Sequence, residues 1–360
     1  MNIKQIIIHF FTFNYPQYSI AFVVKAILIV GLFLFIYKYK PRWRNAAYFF
    51  LLISVIRMVL FDQYYSWGYY TDQLGVDEVG WRQKSVLDFE HNKFFKTQKI
   101  RFFAVGSSQT LVVYTPYSEK HKDLSVLHLS SMAPLDFYLY RKYIVSKNPN
   151  YVLLYLSEFD LAREPRLEAA KIAPQQGIDL LKILPMIFEI SKQAHSEVAF
   201  KEMIAGEFFP EYKYSFVFRG FSDKIMKKNA ALHRESLLLS LHPDTEELKE
   251  HIQSLVESMD ERWIKYNVYF LREFLAYCRS KSLKVVIVDG QYNPLAYTEK
   301  NLRLNQIVHN ELENLTKQFD NVTFLPRSQV MEFTQDDYSD ATHVKPQAAY
   351  RFVESLIKKF

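Results

Sequence analysis

Two long apolar runs dominate the first 61 residues of the chain. Residues 19–37 read SIAFVVKAILIVGLFLFIY, which is long enough to cross a hydrocarbon core of about 30 Å at about 1.5 Å per residue. Residues 46–61 form a shorter run that contains Arg57, whose long side chain can reach a membrane interface. We predict a membrane anchor over residues 1–61 with one or two transmembrane helices, the alternative for the second run being a buried core helix.

Cations between the two runs predict which side of the membrane the rest of the chain occupies. Residues 38–44, KYKPRWR, contain four cations, and short cation-rich loops stay in the cytoplasm. Aromatic residues follow in FDQYYSWGYY, residues 61–70, as is typical of a membrane interface. We therefore expect a protein of the cytoplasmic (inner) membrane, with an interfacial linker over residues 62–98 and its main domain on the extracytoplasmic, periplasmic side.

Five short apolar runs follow the linker. They are IRFFAV (100–105), SVLHL (125–129), YVLLYL (151–156), LKVVIVD (283–289) and VTFL (322–325). Each run is continuous, as in parallel strands buried on both faces, and helical patterns lie between them. The alternation predicts an α/β domain over residues 99–360, with a doubly wound, mainly parallel five-stranded sheet. Residues 161–260 show helical stretches without a convincing strand, which indicates a helical insertion.

Charge and composition restrict the kinds of partner and cofactor that we expect the protein to bind. The formal charge is +6, but residues 1–61 hold seven Lys or Arg and no acid, so the remaining 38 basic and 39 acidic residues nearly balance. No basic stripe is available to follow a phosphate backbone, so we expect no nucleic-acid partner. The single cysteine, Cys278, excludes an intrachain disulfide. The sequence has neither a nucleotide-binding glycine motif nor a metal-site motif, so we expect no cofactor and no metal.

A serine turn follows the first of these five runs. In an open parallel sheet ligands bind beyond the carboxyl ends of the strands, and here that position reads FFAVGSSQT. Gly106 permits a tight turn, and Ser107 and Ser108 stand where a helix begins, with N–H groups that can bind developing negative charge. Serines in such turns are more often helix caps, so the turn alone does not predict a nucleophile.

A polar pair near the end of the chain lies at the same predicted edge. Asp340 and His343 stand between the fifth run and a final helical pattern, KPQAAYRFVESLIKKF. A hydroxyl nucleophile needs a base within hydrogen-bond reach and a third group that orients the base. An isolated Asp-x-x-His is more often a surface pair, but with the serine turn it supplies all three groups in compatible places.

This arrangement resembles the SGNH (GDSL-type) hydrolase superfamily, in which a serine turn follows the first strand and Asp-x-x-His precedes the last helix. The resemblance covers roughly residues 98–360 without the insertion, and its most specific element is DATHVKPQAAY. It implies a flavodoxin-like sheet, with Ser108 as the nucleophile, His343 as its base and Asp340 as the acid that orients the base.

Two further blocks of that superfamily match poorly. Where the second block has a Gly, this chain has Ser130 and Ser131, and where the third has Gly-x-Asn-Asp it has SEFD, with Phe159 in place of the oxyanion-binding Asn. One missing donor costs about 2.7 to 4 kcal/mol of transition-state stabilisation, so other groups complete the oxyanion hole or the site is slow or inactive. The candidates for the hole are Ser108, Ser131 and Ser157, and the other polar residues expected in the cleft are Ser107, Asp160 and Asp289.

The poorly matching blocks and the N-terminal anchor are similar to membrane-anchored members of the superfamily, namely the D-alanyl-lipoteichoic acid protein DltD and the SGNH-like proteins of alginate acetylation. The resemblance implies a serine esterase or O-acyltransferase that acts on acyl groups of an envelope polysaccharide or lipid through an acyl-serine intermediate, beside a membrane-bound O-acyltransferase. One alternative is a catalytically inactive accessory subunit of such an acyltransferase, binding glycan or partner. Another is a structural envelope protein without a ligand.

Overall fold

The computed structural model describes six stretches of the chain. They are residues 20–49, 51–52, 100–129, 131–167, 178–208 and 245–360. The chain divides into two compact units, the first formed by Met1–Gly80 and Leu167–Lys228 and the second by Trp81–Arg166 and Asn229–Phe360.

The second unit is built on a parallel sheet. Its strands are β1 (Phe102–Gly106), β2 (Leu124–His128), β3 (Tyr151–Leu156), β4 (Lys284–Asp289) and β5 (Val322–Leu325). They lie in the order β2-β1-β3-β4-β5, and every neighbouring pair is parallel. The predicted parallel five-stranded α/β sheet is therefore confirmed. Because the chain leaves β1 for β2 and then crosses back to β3, the strand order reverses between β1 and β3, which is where open sheets of this kind form a crevice.

Helices connect and cover the strands. In chain order they are α1 (Ile20–Tyr39), α2 (Ser108–Ser118), α3 (Pro134–Ser146), α4 (Glu158–Leu161), α5 (Ile178–Gln193), α6 (Glu197–Phe208), α7 (Thr245–Ser258), α8 (Ile264–Ser280), α9 (Glu299–Gln318) and α10 (Pro346–Ile357). Helix α2 packs against α10, and α3 packs against α8. The β1–β2 and β2–β3 crossovers run in opposite directions along the sheet, so right-handed connections put these two helix pairs on opposite faces.

The core of the second unit lies between the sheet and these helices. Every residue of β1 is buried, as the continuous apolar run predicts. The rings of Phe137 on α3 and Phe274 on α8 lie 5.8 Å apart on one side, and the rings of Tyr155 on β3 and Phe352 on α10 lie 6.1 Å apart on the other. Burying one such side chain contributes about 1.5 to 3 kcal/mol. This packing makes the sheet a rigid support for the residues at its carboxyl edge.

The described part of the first unit is helical. It contains α1, α5 and α6, and α6 contacts α1. The described residues include no helix with the length and hydropathy that a membrane span requires. Residues 53–61 of the second apolar run and the whole linker, 62–98, lie outside the described residues, so those predictions stay predictions.

Candidate active site

The serine turn lies at the carboxyl end of β1. Ser107 is the extended N-cap residue of α2, and Ser108 is the first residue of that helix. Gly106 ends the strand, and a Cβ atom there would collide with the hydroxyl of Thr110 in the first turn of α2. A larger residue at position 106 would therefore force the Thr110 side chain to shift. The turn presents Ser108 at the switch between β1 and β3.

The structure brings Ser108 together with the polar pair that lies 235 positions later. The His343 Nε2 atom is 3.0 Å from the Ser108 Oγ atom, and the His343 Nδ1 atom is 2.7 Å from the Asp340 Oδ2 atom. An ionised carboxylate can only accept a hydrogen bond, so the Nδ1 atom holds the proton and donates it to Asp340. The Nε2 atom is then the acceptor that faces the Ser108 hydroxyl, as a general base requires.

Asp340 is held as a carboxylate by its surroundings. Its second oxygen, Oδ1, accepts the backbone N–H groups of Thr342 and His343, each at 2.8 Å. Burial alone would raise the pKa of Asp340, but the hydrogen bond and charge of His343 and these two N–H groups lower it below its ordinary value. The Asp340 side chain is 16% exposed and that of His343 is 32% exposed. The acid is therefore covered while the imidazole remains accessible to a substrate.

Short contacts keep these two residues in one compact turn. Both the backbone N–H and the hydroxyl of Ser339 donate to the carbonyl of His343, at 2.8 and 2.9 Å. Tyr338 and Val344 form an isolated antiparallel bridge around the turn. The geometry between Asp340 and His343 is thus fixed locally, within the segment that contains both.

The candidates for the oxyanion hole differ in the surroundings of their N–H and hydroxyl groups. The N–H of Ser108 belongs to the first turn of α2, where backbone donors favour negative charge. Ser131 has a φ of 51°, a left-handed conformation that suits glycine best. In contrast, the N–H and hydroxyl of Ser157 both donate to Asp160 Oδ2, at 2.9 and 3.1 Å. Ser157 is therefore the cap of α4, and its hydrogen bonds give no support for an oxyanion role.

An aromatic side chain stands at the position where the resemblance implies an Asn. Phe159 is 7% exposed, and its ring meets the edge of the Tyr292 ring with 4.5 Å between the ring centres. It supplies no side-chain donor. The carboxylate of its neighbour Asp160 makes structural contacts, because it accepts the N–H of Ser157 at the start of α4 and lies 3.7 Å from Arg163. Burial raises the pKa of Asp160 despite the charge of Arg163.

Asp289, one of the polar residues expected in the cleft, belongs to a buried charge cluster. It ends β4, and its Oδ2 atom lies 3.5 Å from the Arg327 Nε atom and 3.8 Å from the His309 Nδ1 atom. Burial raises the pKa of Asp289, while the charge of Arg327 opposes that shift. Arg327 also donates to the Gly290 carbonyl at 3.0 Å and to the Tyr297 hydroxyl at 2.7 Å. The cluster ties the ends of β4 and β5 together.

Glu158, which sequence reasoning missed, is the second acid of this cluster. Its side chain is fully buried, and its Oε2 atom accepts from Asn305 at 3.0 Å and lies 3.5 Å from the Arg327 Nη2 atom. Burial raises the pKa of Glu158 to about 7, against the attraction of Arg327. The sequence does place Glu158 and Arg327 shortly after buried strands, at the carboxyl edge of the sheet. That shared position is the signal from which their proximity could have been predicted.

Comparison with known proteins gives no match, so the function is inferred from the geometry of the site. No protein-family model matches the chain, and no curated protein matches it. In the part of the chain that the structure describes, no group of three or more His, Cys, Asp or Glu side chains is placed to hold a metal ion. A hydroxyl, an imidazole and a carboxylate in hydrogen-bonded series can activate the hydroxyl for attack on an acyl carbonyl.

Proposed function

We propose that the protein is a membrane-anchored, extracytoplasmic serine esterase or O-acyltransferase of the SGNH type. Its substrate class is the acyl groups of an envelope polysaccharide or lipid, and its intermediate is an acyl-Ser108. The observation behind the proposal is the continuous series of hydrogen bonds, 3.0 Å from Ser108 to His343 and 2.7 Å from His343 to Asp340.

The reaction would proceed in two halves at this series. Ser108 Oγ attacks the acyl carbonyl carbon while His343 Nε2 takes its proton, and Asp340 stabilises the resulting imidazolium. The N–H of Ser108 faces the developing oxyanion, and His343 then protonates the departing alcohol. In the second half His343 removes a proton from the incoming hydroxyl, which attacks the acyl carbonyl carbon. The acyl–Ser108 bond then breaks, and His343 returns the proton to Ser108 Oγ. Water as the acceptor gives hydrolysis, and a sugar hydroxyl gives transfer.

The placement of the three residues on the sheet supports the SGNH assignment. Ser108 follows the first strand of the parallel sheet, and Asp340 and His343 directly precede the last helix, α10. Phe159 favours a second candidate, because its buried ring leaves the site without the side-chain donor that SGNH enzymes use. That candidate is a catalytically inactive accessory subunit that binds glycan beside a membrane-bound O-acyltransferase.

Outward-facing apolar side chains in the first unit support membrane attachment. On α1, Ile27, Leu34 and Phe35 are each more than half exposed. On α5, Leu181 and Phe188 are exposed and lie seven residues apart, on one face of the helix. Covering such faces with lipid instead of water is favourable. We assign the main domain to the extracytoplasmic side from the cations of residues 38–44.

Labelling by a fluorophosphonate probe tests the enzymatic proposal against the accessory one. We expect the full-length protein in mild detergent to be labelled, and expect labelling to be lost in Ser108→Ala and in His343→Ala. Ser118→Ala is the matched control, since Ser118 lies at the other end of α2, where its hydroxyl donates to the Thr115 carbonyl. Absence of labelling in folded wild-type protein would favour the accessory subunit.

A further inference from the structure

The segment that contains the acid and the base needs support from outside itself. The β5–α10 loop, residues 326–345, joins Leu325 to Pro346 and pairs with no strand of the sheet. Its local hydrogen bonds fix Asp340 against His343, but they do not fix either residue relative to Ser108, which lies on a different part of the sheet. Holding so long a loop in one conformation costs entropy that other contacts must offset.

The side chain of Gln291 provides such contacts. Gln291 follows β4 and is 3% exposed. Its Nε2 atom donates to the carbonyl of Met331 at 2.9 Å, and its Oε1 atom accepts the N–H of Phe333 at 2.9 Å. One side-chain amide thus satisfies a backbone acceptor and a backbone donor two residues apart, as a neighbouring strand would. The β5–α10 loop is bound at this point to the end of β4.

Gln291 is itself fixed to the interior of the sheet. The hydroxyl of Tyr155, on β3, accepts the N–H of Gln291 at 2.7 Å and donates to its carbonyl at 3.1 Å. The preceding residue, Gly290, donates to the carbonyl of Leu156 at 2.7 Å. A Cβ atom at Gly290 would lie only 3.0 Å from the carbonyl carbon of Leu156. The backbone of Gln291 therefore cannot move without disturbing the central strand β3.

Asn293 adds a second contact closer to the acid. Its backbone N–H donates to the carbonyl of Ala341 at 3.0 Å, and its side-chain Nδ2 atom reaches the carbonyl of Asp340 at 3.4 Å. The segment 290–293 thus holds the β5–α10 loop at both ends of the stretch from Met331 to Ala341.

We propose that Gln291 is a positioning residue, which acts through the β5–α10 loop to hold the imidazole of His343 against the Ser108 hydroxyl. The inference rests on the proposed function, since it names the residue that sets the base against the nucleophile. Loss of the Gln291 amide leaves the Asp340–His343 turn intact but releases residues 331–333 from the end of β4, so that in the segment 290–293 only Asn293 still holds residues 331–341 of the loop. The Ser108–His343 hydrogen bond is then lost while the Asp340–His343 bond remains.

A thiol at position 108 measures this distance without requiring any enzymatic activity. In Ser108→Cys, an adjacent imidazole lowers the pKa of the new thiol below its ordinary value of about 8.5, so that iodoacetamide alkylates it faster at neutral pH. The native Cys278 does not interfere, because it is fully buried and burial raises its pKa. Adding His343→Ala gives the baseline in which only the α2 N-terminus acts on the thiol.

The experiment compares alkylation rates at pH 7 in the full-length protein with Gln291→Met added to Ser108→Cys, since methionine keeps the volume and removes both hydrogen bonds. We expect a loss of rate of about tenfold, to the His343→Ala baseline. Asn321→Ala is the control. Its side chain donates to the Leu283 carbonyl at 2.8 Å, at the opposite edge of the sheet, and we expect the rate to be unchanged. Gln291→Glu, which keeps the acceptor for Phe333, serves if the methionine variant does not fold.

An unchanged rate in a folded Gln291 variant would overturn the inference, and so would a Ser108→Cys rate already equal to the baseline. Failure of the proposed function looks different. In that case the wild-type protein is not labelled by the fluorophosphonate, while the alkylation rate of the Ser108→Cys thiol still depends on Gln291.

Discussion

Glu158→Gln should stabilise the protein in a pH-dependent way. The folded protein holds a proton on Glu158 up to about pH 7, whereas the unfolded chain releases it near the ordinary value of 4.5. The folded state therefore binds more protons in this window, and the free energy of unfolding falls as pH rises through it. The difference between these values, at about 1.36 kcal/mol per pH unit, corresponds to about 3 kcal/mol at most.

Glutamine preserves the shape of Glu158 and the acceptor for Asn305 but removes the charge. We expect Glu158→Gln to exceed wild type by less than about 1 kcal/mol at pH 5 and by up to about 3 kcal/mol at pH 8, as measured by urea unfolding of the full-length protein in mild detergent. Glu257→Gln, at an exposed position, should show nearly the same difference from wild type at every pH. A Glu158→Gln effect that is equal at pH 5 and pH 8 would refute the reasoning.

Further predictions concern Asp340, the serine turn and Phe159. Asp340→Asn should keep the fold but slow phosphonylation of Ser108 by up to about 10⁴-fold, because an amide cannot hold the imidazole in the required tautomer; a change of less than tenfold would contradict this. Gly106→Ala should lower the free energy of unfolding by about 1 to 3 kcal/mol and slow labelling, because the new methyl group collides with the Thr110 hydroxyl; unchanged urea midpoint and labelling would contradict it. Phe159→Asn should cost about 3 kcal/mol of stability in the same urea assay, through loss of the packing against Tyr292, and an equally stable variant would contradict it.

The sheet and the proximity of Asp340 and His343 could be predicted because their signals are local. Parallel strands covered on both faces leave continuous apolar runs, and each of the five runs overlaps a strand, with boundaries displaced by no more than two residues. Asp340 and His343 lie three positions apart beside the final helix, and the carboxyl edge is where such residues meet Ser108. Strand pairing sets the exact boundaries, which the apolar runs alone do not.

The buried charge cluster and the support of the β5–α10 loop could not be predicted in this way. Glu158 and Arg327 meet across 169 positions of sequence, and a charged residue after a strand is ordinarily solvated. Ser157 is among the predicted oxyanion donors because it lies two residues before Phe159, where the resemblance implies an Asn. A helix cap of this kind cannot be told from a cleft residue by its sequence. Gln291 binds backbone groups 40 and 42 positions away. Because backbone groups are nearly the same in every residue, the sequence does not show which of them a side chain will bind.

The most direct test of the central claim is to identify the residue that becomes acylated. The full-length protein is incubated with an activated acyl ester, quenched in acid and mapped by peptide mass spectrometry. We predict an acyl group on Ser108 in wild-type protein and none at that position in His343→Ala. An acyl group on another residue, or an unmodified Ser108 in folded wild-type protein, would contradict the account.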